Sequence, residues 1–156
     1  MTARVPLADG RRFALALAVA LLGALAPAAR AQTMSPDQRA AVDAADRWLD
    51  RVDRQRYADA WSMAADAFKK DVERKQWNDG IRGLRSEYGR VVSRKAAKAA
   101  FVEGAPEAGD AGRAKPGAEM SILFETRFAR RKEATEEMTM VLEQDGLWRV
   151  AGYYIR

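Results

Sequence analysis

The first half of the chain shows helical patterning. Apolar side chains recur at three- and four-residue steps, so each forms a stripe along one helix face. The first stripe predicts a helix over about residues 36–54, and Ser35 and Gln38 are spaced to form a capping box at its start. A short second helix follows over residues 57–68. A third carries the apolar residues of 72–88.

The period changes after Gly89, a residue suited to ending a helix. Residues 91–102 are ambiguous, because 95–100 have helical composition while Val-Val at the start and Phe-Val at the end favour a strand. Residues 103–118 are rich in Gly, Ala and Pro and predict a loop.

Three later segments alternate apolar and polar residues, as strands with one buried face do. They lie at about residues 120–128, 137–143 and 148–154. In the last hairpin, a three-residue loop over 144–146 pairs Leu142 with Trp148 and keeps the apolar residues on one face. This register predicts a positive φ at Gly146.

Helices followed by an antiparallel meander indicate an α+β domain. We expect three N-terminal helices packed on a curved four-stranded antiparallel sheet, in one domain over residues 32–156.

The N-terminus has the three parts of a cleavable export signal. Arg11 and Arg12 end a basic region, residues 13–25 are apolar and uncharged, and small residues follow. We expect cleavage after Ala31, a periplasmic or secreted protein and no membrane anchor.

With this signal removed, the composition of the chain excludes several classes of function. The whole chain has 27 Lys and Arg against 22 Asp and Glu, and residues 32–156 keep 23 and 21, a net charge of +2. So small a net charge does not indicate a nucleic-acid-binding protein. The chain has no cysteine and no histidine, which removes disulfides, the usual zinc ligands and the usual general base. We expect no metal and no cofactor.

The ending of the chain carries a family resemblance. Residues 145–155 read Asp-Gly-Leu-Trp-Arg-Val-Ala-Gly-Tyr-Tyr-Ile, and Ser93-Arg94, Trp48-Leu49 and residues 126–128 add to the pattern. Over roughly residues 40–156 the chain resembles the exported bacterial DUF4019 family, within the broad NTF2-like (cystatin-like) superfamily. The resemblance implies a cone-shaped α+β fold and no assigned activity.

Superfamily members often hold a pocket between the helices and the sheet. The residues that could line it here share apolar or aromatic character and inward spacing: Trp61, Trp77, Tyr88, Met120, Phe124, Met140 and Trp148. The alternative is that these side chains simply form the core.

Three arginines are candidates for an anion-binding rim at one end of the sheet: Arg85, Arg94 and Arg127. The alternative is ordinary ion pairing, with Arg127 about opposite Glu137. Two acids, Glu136 and Asp46, are considered as catalytic groups, but the sequence shows no partner for either.

The outer sheet face is expected to be unusually apolar and to bind a second copy or an envelope protein. Its expected interface residues are Leu123, Val141, Leu147, Tyr153 and Ile155. The sequence therefore favours an exported, non-catalytic binding module. A small-ligand carrier using the cone pocket is the second hypothesis, and an enzyme of the isomerase or dehydratase kind is the third.

Overall fold

The computed structural model describes residues 34–103 and 113–156. The predicted signal peptide and residues 104–112 of the predicted loop lie outside the described residues. No helix in the described part of the chain is long and apolar enough to cross a membrane.

The described residues form an α+β structure of helices packed on an antiparallel sheet. The helices are α1 (Pro36–Asp53), α2 (Tyr57–Met63), α3 (Asp66–Asp71) and α4 (Arg74–Tyr88), and the strands are β1 (Val91–Phe101), β2 (Glu119–Phe128), β3 (Ala134–Leu142) and β4 (Trp148–Ile155). The four strands lie in the order β1-β2-β3-β4, each antiparallel to its neighbour. The predicted fold class is confirmed, and the ambiguous segment after Gly89 is a strand.

The helical region divides into four helices, where the apolar pattern predicts three. The predicted second helix is broken at Ala64 and Ala65, which are both extended. The amide of Ala65 donates to the carbonyl of Val150 at 2.9 Å. The break therefore lets the helical segment hydrogen-bond to β4.

Both predicted ends of the helical region are confirmed. The Ser35 hydroxyl accepts from the Gln38 amide at 3.2 Å, and the Gln38 side chain accepts from the Ser35 amide at 2.7 Å. Gly89 follows α4 with φ +78°, a conformation in which a side chain would be strained.

The predicted register of the last hairpin is also confirmed. Leu142 pairs with Trp148 and Met140 pairs with Val150. Gly146 has φ +78°, as the three-residue loop requires.

The predicted alternation of β4 is wrong beyond Val150, because the strand contains a bulge there. Between Met140 and Thr139 the pairing shifts by one residue of β4, because Ala151 has no partner. Thr139 therefore pairs with Gly152, and Met138 pairs with Tyr153. Tyr153 therefore lies on the inner face, where its ring packs against that of Trp48 with 5.2 Å between the ring centres. The extra residue moves Tyr154 to the outer face, where it is 67% exposed.

The predicted outer apolar face is therefore partly wrong. Tyr153 does not belong to it, and Ile155 pairs with the inward residue Glu136. Leu123 and Val141 are half-buried, and Leu147 is exposed beside the hairpin loop. Charged residues such as Glu125, Glu137 and Arg149 alternate with the remaining apolar ones on the same strands.

One core joins the helices to the inner sheet face. Three indole N–H groups in the helical region donate to backbone carbonyls: Trp48 to Ala60, Trp61 to Val72 and Trp77 to Tyr57, at 2.8–2.9 Å. These bonds hold the short helices together, so the tryptophans supply both apolar area and backbone partners.

Candidate functional site

The inner sheet face holds a buried carboxylate at its centre. Glu136 on β3 is fully buried. Its Oε2 accepts from Arg94 Nε at 2.6 Å and from the Thr126 hydroxyl at 2.5 Å. Its Oε1 accepts from Arg94 Nη2 at 3.0 Å and from the Tyr153 hydroxyl at 2.6 Å. All four strands therefore contribute a side chain to this group.

The helices contribute a second carboxylate and a second guanidinium. Asp53, the last residue of α1, accepts from Arg94 Nη1 at 2.7 Å. It also accepts from Arg85 Nη2 on α4 at 2.6 Å. We call Asp53, Arg85, Arg94 and Glu136, with the hydroxyls of Thr126 and Tyr153, the buried ion network.

Arg85 is less fully satisfied than Arg94. It is 7% exposed, and its Nη1 lies 3.7 Å from Glu136 Oε1 without a hydrogen bond to any described residue. Its guanidinium carbon lies 4.9 Å from the centre of the Phe128 ring. The ring provides a cation–π contact that partly compensates for this burial.

The network balances its own charges. Two guanidinium groups face two carboxylates, and Glu136 accepts four hydrogen bonds, which fills the lone-pair sites of a carboxylate. Burial lowers the pKa of Arg94, but hydrogen bonds to Asp53 and Glu136 raise it above its ordinary value. Glu136 therefore has no free site from which to accept a substrate proton.

The two acids considered as catalytic groups, Glu136 and Asp46, have different surroundings. Glu136 faces inward as expected, but it has partners on every neighbouring strand. Asp46 lies on α1, where burial of its carboxyl raises its pKa and Arg94 opposes the rise. In the part of the chain that the structure describes, no group of three or more His, Cys, Asp or Glu side chains could hold a metal ion.

The three arginines of the predicted anion rim do not act together. Arg85 and Arg94 converge on the buried ion network, whereas Arg127 pairs with Ser93 at the outer side of the sheet. The predicted pairing of Arg127 with Glu137 is wrong, because Glu137 lies opposite Leu123 and forms its ion pair with Arg156.

Most of the predicted pocket-lining residues are packed in the core. Trp77, Met120, Phe124 and Met140 are buried, and Trp77 lies 5.3 Å from Trp48 and 5.5 Å from Phe68 between ring centres. Trp61 and Tyr88 are half-buried; Trp61 bonds to the backbone, and Tyr88 packs edge-on against Phe128. Trp148 is also buried in the core, and it borders a surface cleft.

Three of the surface clefts formed by the described residues lie next to the buried ion network or the core tryptophans. The sheet-end groove, about 760 Å³, lies at the start of β1, the end of β2 and the following hairpin. Its charged side chains outside the network are Lys95, Glu125, Arg127, Lys132, Glu133 and Arg156.

The other two clefts differ in chemistry. The tryptophan cleft, about 510 Å³, lies between α1 and the β3–β4 hairpin and includes Trp48, Met63, Leu147 and Trp148. The arginine cleft, about 290 Å³, lies where α1 and α4 end. Its charged residues are Asp53, Arg82, Arg85, Arg90 and Arg130.

Comparison with known proteins gives the family of the chain. Residues 44–153 match the family described as a protein of unknown function (DUF4019). The chain belongs to the DUF4019 family. No curated protein matches the DUF4019 chain.

Two solved structures are similar to this DUF4019 chain at 12% identity. A protein from Catenulispora acidiphila aligns with a TM-score of 0.44 over 76% of this chain and 88% of its own. Aln2 from a Streptomyces species aligns with a TM-score of 0.45 over 80% of this chain and 93% of its own. Neither likeness bears on function.

Replacing the central carboxylate tests the buried ion network. Glu136→Gln keeps the side-chain shape but leaves two buried guanidinium groups facing one carboxylate. We expect the free energy of unfolding to fall by about 3–5 kcal/mol, as when a buried pair loses one partner. Urea denaturation measures the change.

Glu137→Gln is the matched control one residue further along β3. It removes the same charge from an exposed pair with Arg156, so a loss within about 1 kcal/mol is expected. Equal losses in the two variants would show that the network does not hold the fold together.

Tyr153 predicts a pH dependence at the alkaline end. Burial and the neighbouring Glu136 carboxylate raise the pKa of Tyr153 well above its ordinary value. The unfolded chain releases this proton near pH 10, while the folded chain keeps it. The contribution to stability is therefore complete below about pH 10 and is lost as the pH rises towards the folded pKa.

Tyr153→Phe checks this sign. The variant is expected to lose about 1 kcal/mol at neutral pH and to show a shallower decline above about pH 10 than the wild-type chain. Tyr154→Phe, at the exposed neighbouring position, keeps the wild-type decline. Urea denaturation across this pH range distinguishes the two, and identical curves for both variants would contradict the assignment.

Proposed function

We propose that this DUF4019 chain is an exported, non-catalytic binding module that acts outside the cytoplasm. Export is supported by the basic and apolar segments within residues 1–31. Binding without catalysis is supported by the chemistry of the interior.

The saturated environment of Glu136 carries this proposal. A general base needs a free lone pair within reach of the proton that it removes. The Glu136 carboxylate already accepts four hydrogen bonds, from Arg94, Thr126 and Tyr153. The buried charged groups are therefore paired with one another, and we place the binding site at the surface.

The sheet-end groove is the surface best suited to a macromolecular partner. Lys95, Arg127 and Lys132 line it and form no ion pair with any residue that the structure describes. The groove also contains the carboxylates of Glu125 and Glu133, so its charge is mixed with a positive excess. We propose an acidic segment of another envelope protein as the occupant, because a second copy would bring an equally basic groove.

A charge-reversal experiment tests the groove. The full chain is expressed in a bacterium and purified from the periplasm, and a labelled peptide of glutamate and glycine serves as the acidic probe. Arg127→Glu with Lys132→Glu is expected to weaken binding by at least about tenfold, since two attractive charges become repulsive. Fluorescence anisotropy at low salt gives the affinity.

Lys70→Glu with Arg74→Glu is the matched control. These exposed cations lie in the α3–α4 region, outside the groove. Equal weakening by both double variants would show diffuse attraction only. A dimer in sedimentation that the groove variant abolishes would make a second copy the occupant and overturn the proposal.

The tryptophan cleft favours a second function, a carrier of small apolar ligands. Its walls combine the indoles of Trp48 and Trp148 with the exposed side chains of Met63 and Leu147. An apolar cleft with polar groups at its edge is the usual form of a small-molecule site. This cleft lies beside the β3–β4 hairpin rather than in the middle of the core.

An apolar dye tests the carrier function. Anilinonaphthalene sulfonate is expected to fluoresce when bound to the wild-type protein, and Ala44→Phe should abolish the signal by filling the cleft. Ala58→Phe adds the same ring at an exposed position of α2. No dye binding, or equal signals from the two variants, would remove this function.

A further inference from the structure

We propose that the arginine cleft binds a phosphate group, carried as the free ion or on a small phosphomonoester. The cleft is small, about 290 Å³, and four of its lining residues are arginines against one aspartate. Guanidinium groups present several N–H donors in a planar fork that suits phosphate oxygens. No residue of the cleft lines the sheet-end groove, so this site is independent of the acidic-partner proposal.

The fold brings these arginines together from separate segments. Arg82 and Arg85 lie on α4, Arg90 follows the turn at Gly89, and Arg130 belongs to the connection after β2. The Arg130 amide donates to the Tyr88 carbonyl at 3.0 Å. Its guanidinium donates to the Ser86 carbonyl. The connection is therefore fastened to the end of α4, which limits the reorganisation needed on binding.

Gly89 makes this fastening possible. A Cβ at Gly89 would lie 3.3 Å from Arg130 Cγ, and the residue has φ +78°. A side chain there would both crowd Arg130 and strain the backbone. The turn is thus shaped to let the Arg130 stem lie against it.

The charge of the cleft favours an anion. Arg85 and Asp53 belong to the neutral buried ion network, and Arg82 lies 3.7 Å from the Asp79 carboxylate. Arg90 and Arg130 have no carboxylate partner among the described residues. The ends of α1 and α4 contribute roughly half a negative charge each, which leaves an excess of about one positive charge.

Arg85 gives the cleft a buried, fixed wall. Its side chain is more than nine-tenths buried and lines the cleft, while its Nη1 is buried within the network, 3.7 Å from Glu136 Oε1. Asp53 uses Nη2 of the same guanidinium. Arg90, at the opposite extreme, is exposed and forms no ion pair within the described residues. The cleft thus combines a buried, fixed cation with a free one at its mouth.

Phosphate binding should stabilise the fold, because the site depends on the folded arrangement of α1, α4 and the connection after β2. The protein purified from the periplasm is titrated with inorganic phosphate by calorimetry. Thermal unfolding is followed in parallel, against sodium chloride at equal ionic strength. We expect saturable binding and a melting temperature that rises with phosphate but not with chloride.

Arg90→Gln tests the cleft without touching the core. We expect it to weaken phosphate binding by about tenfold or more, the worth of a hydrogen bond to a charged group. Arg74→Gln removes the same charge from an exposed position at the start of α4, outside the three clefts. It should change the affinity by less than about twofold, the effect of a distant screened charge. Circular dichroism confirms that both variants are folded.

Three outcomes would overturn the proposal. The first is the absence of saturable phosphate binding by calorimetry, whatever the melting temperature does, because phosphate also stabilises proteins by exclusion from their surface. The second is equal weakening by the two variants, which would show diffuse attraction. Glycerol 3-phosphate and vesicles containing phosphatidylglycerol separate the sources of the phosphate group. The third outcome is binding to the vesicles alone, which would exclude a small-molecule site and assign these arginines to a lipid surface.

Discussion

The buried carboxylate of Glu136 is the interaction on which the rest of the structure depends. Its oxygens join Arg94 on β1, Thr126 on β2 and Tyr153 on β4, and Arg94 extends the connection to Asp53 at the end of α1. A buried charge is costly unless it is paired and hydrogen-bonded. The strands and helices that supply its partners meet at this one buried point, and removal of a single partner would leave an uncompensated buried charge.

This arrangement also determines where chemistry can occur. The aromatic core fills the space beside the network with Trp48, Trp77 and Phe124, while the network neutralises the buried charges clustered there. We therefore place the proposed binding sites at the surface. Arg85 joins the two regions, since it belongs to the network and also lines the arginine cleft.

The fold was largely predictable because its determinants are local. Helical and strand periodicities, the capping box at Ser35 and the loop at Gly146 act within a few residues of sequence. Two features were not local. The helix break at Ala64 depends on a hydrogen bond from Ala65 to Val150, and the bulge in β4 depends on pairing with β3.

The candidate site was less predictable than the fold, because its contacts are not local in sequence either. Glu136 was placed inward from its alternation, but its partners required the pairing of four strands, and no composition signal marks the one-residue shift that brings Tyr153 to the network.

The distribution of arginines follows from the same constraint. Two of them, Arg85 and Arg94, are consumed in balancing Asp53 and Glu136, so their positive charge is not available at the surface. The cations that remain near this end of the sheet, including Arg90, Arg127 and Arg130, are divided by the β2 end into two clefts. One cleft is wide, open and of mixed charge, and the other is small and dominated by guanidinium groups. Two clefts with excess positive charge need not bind the same ligand. The wide groove suits an extended partner, and the small cleft suits a compact anion.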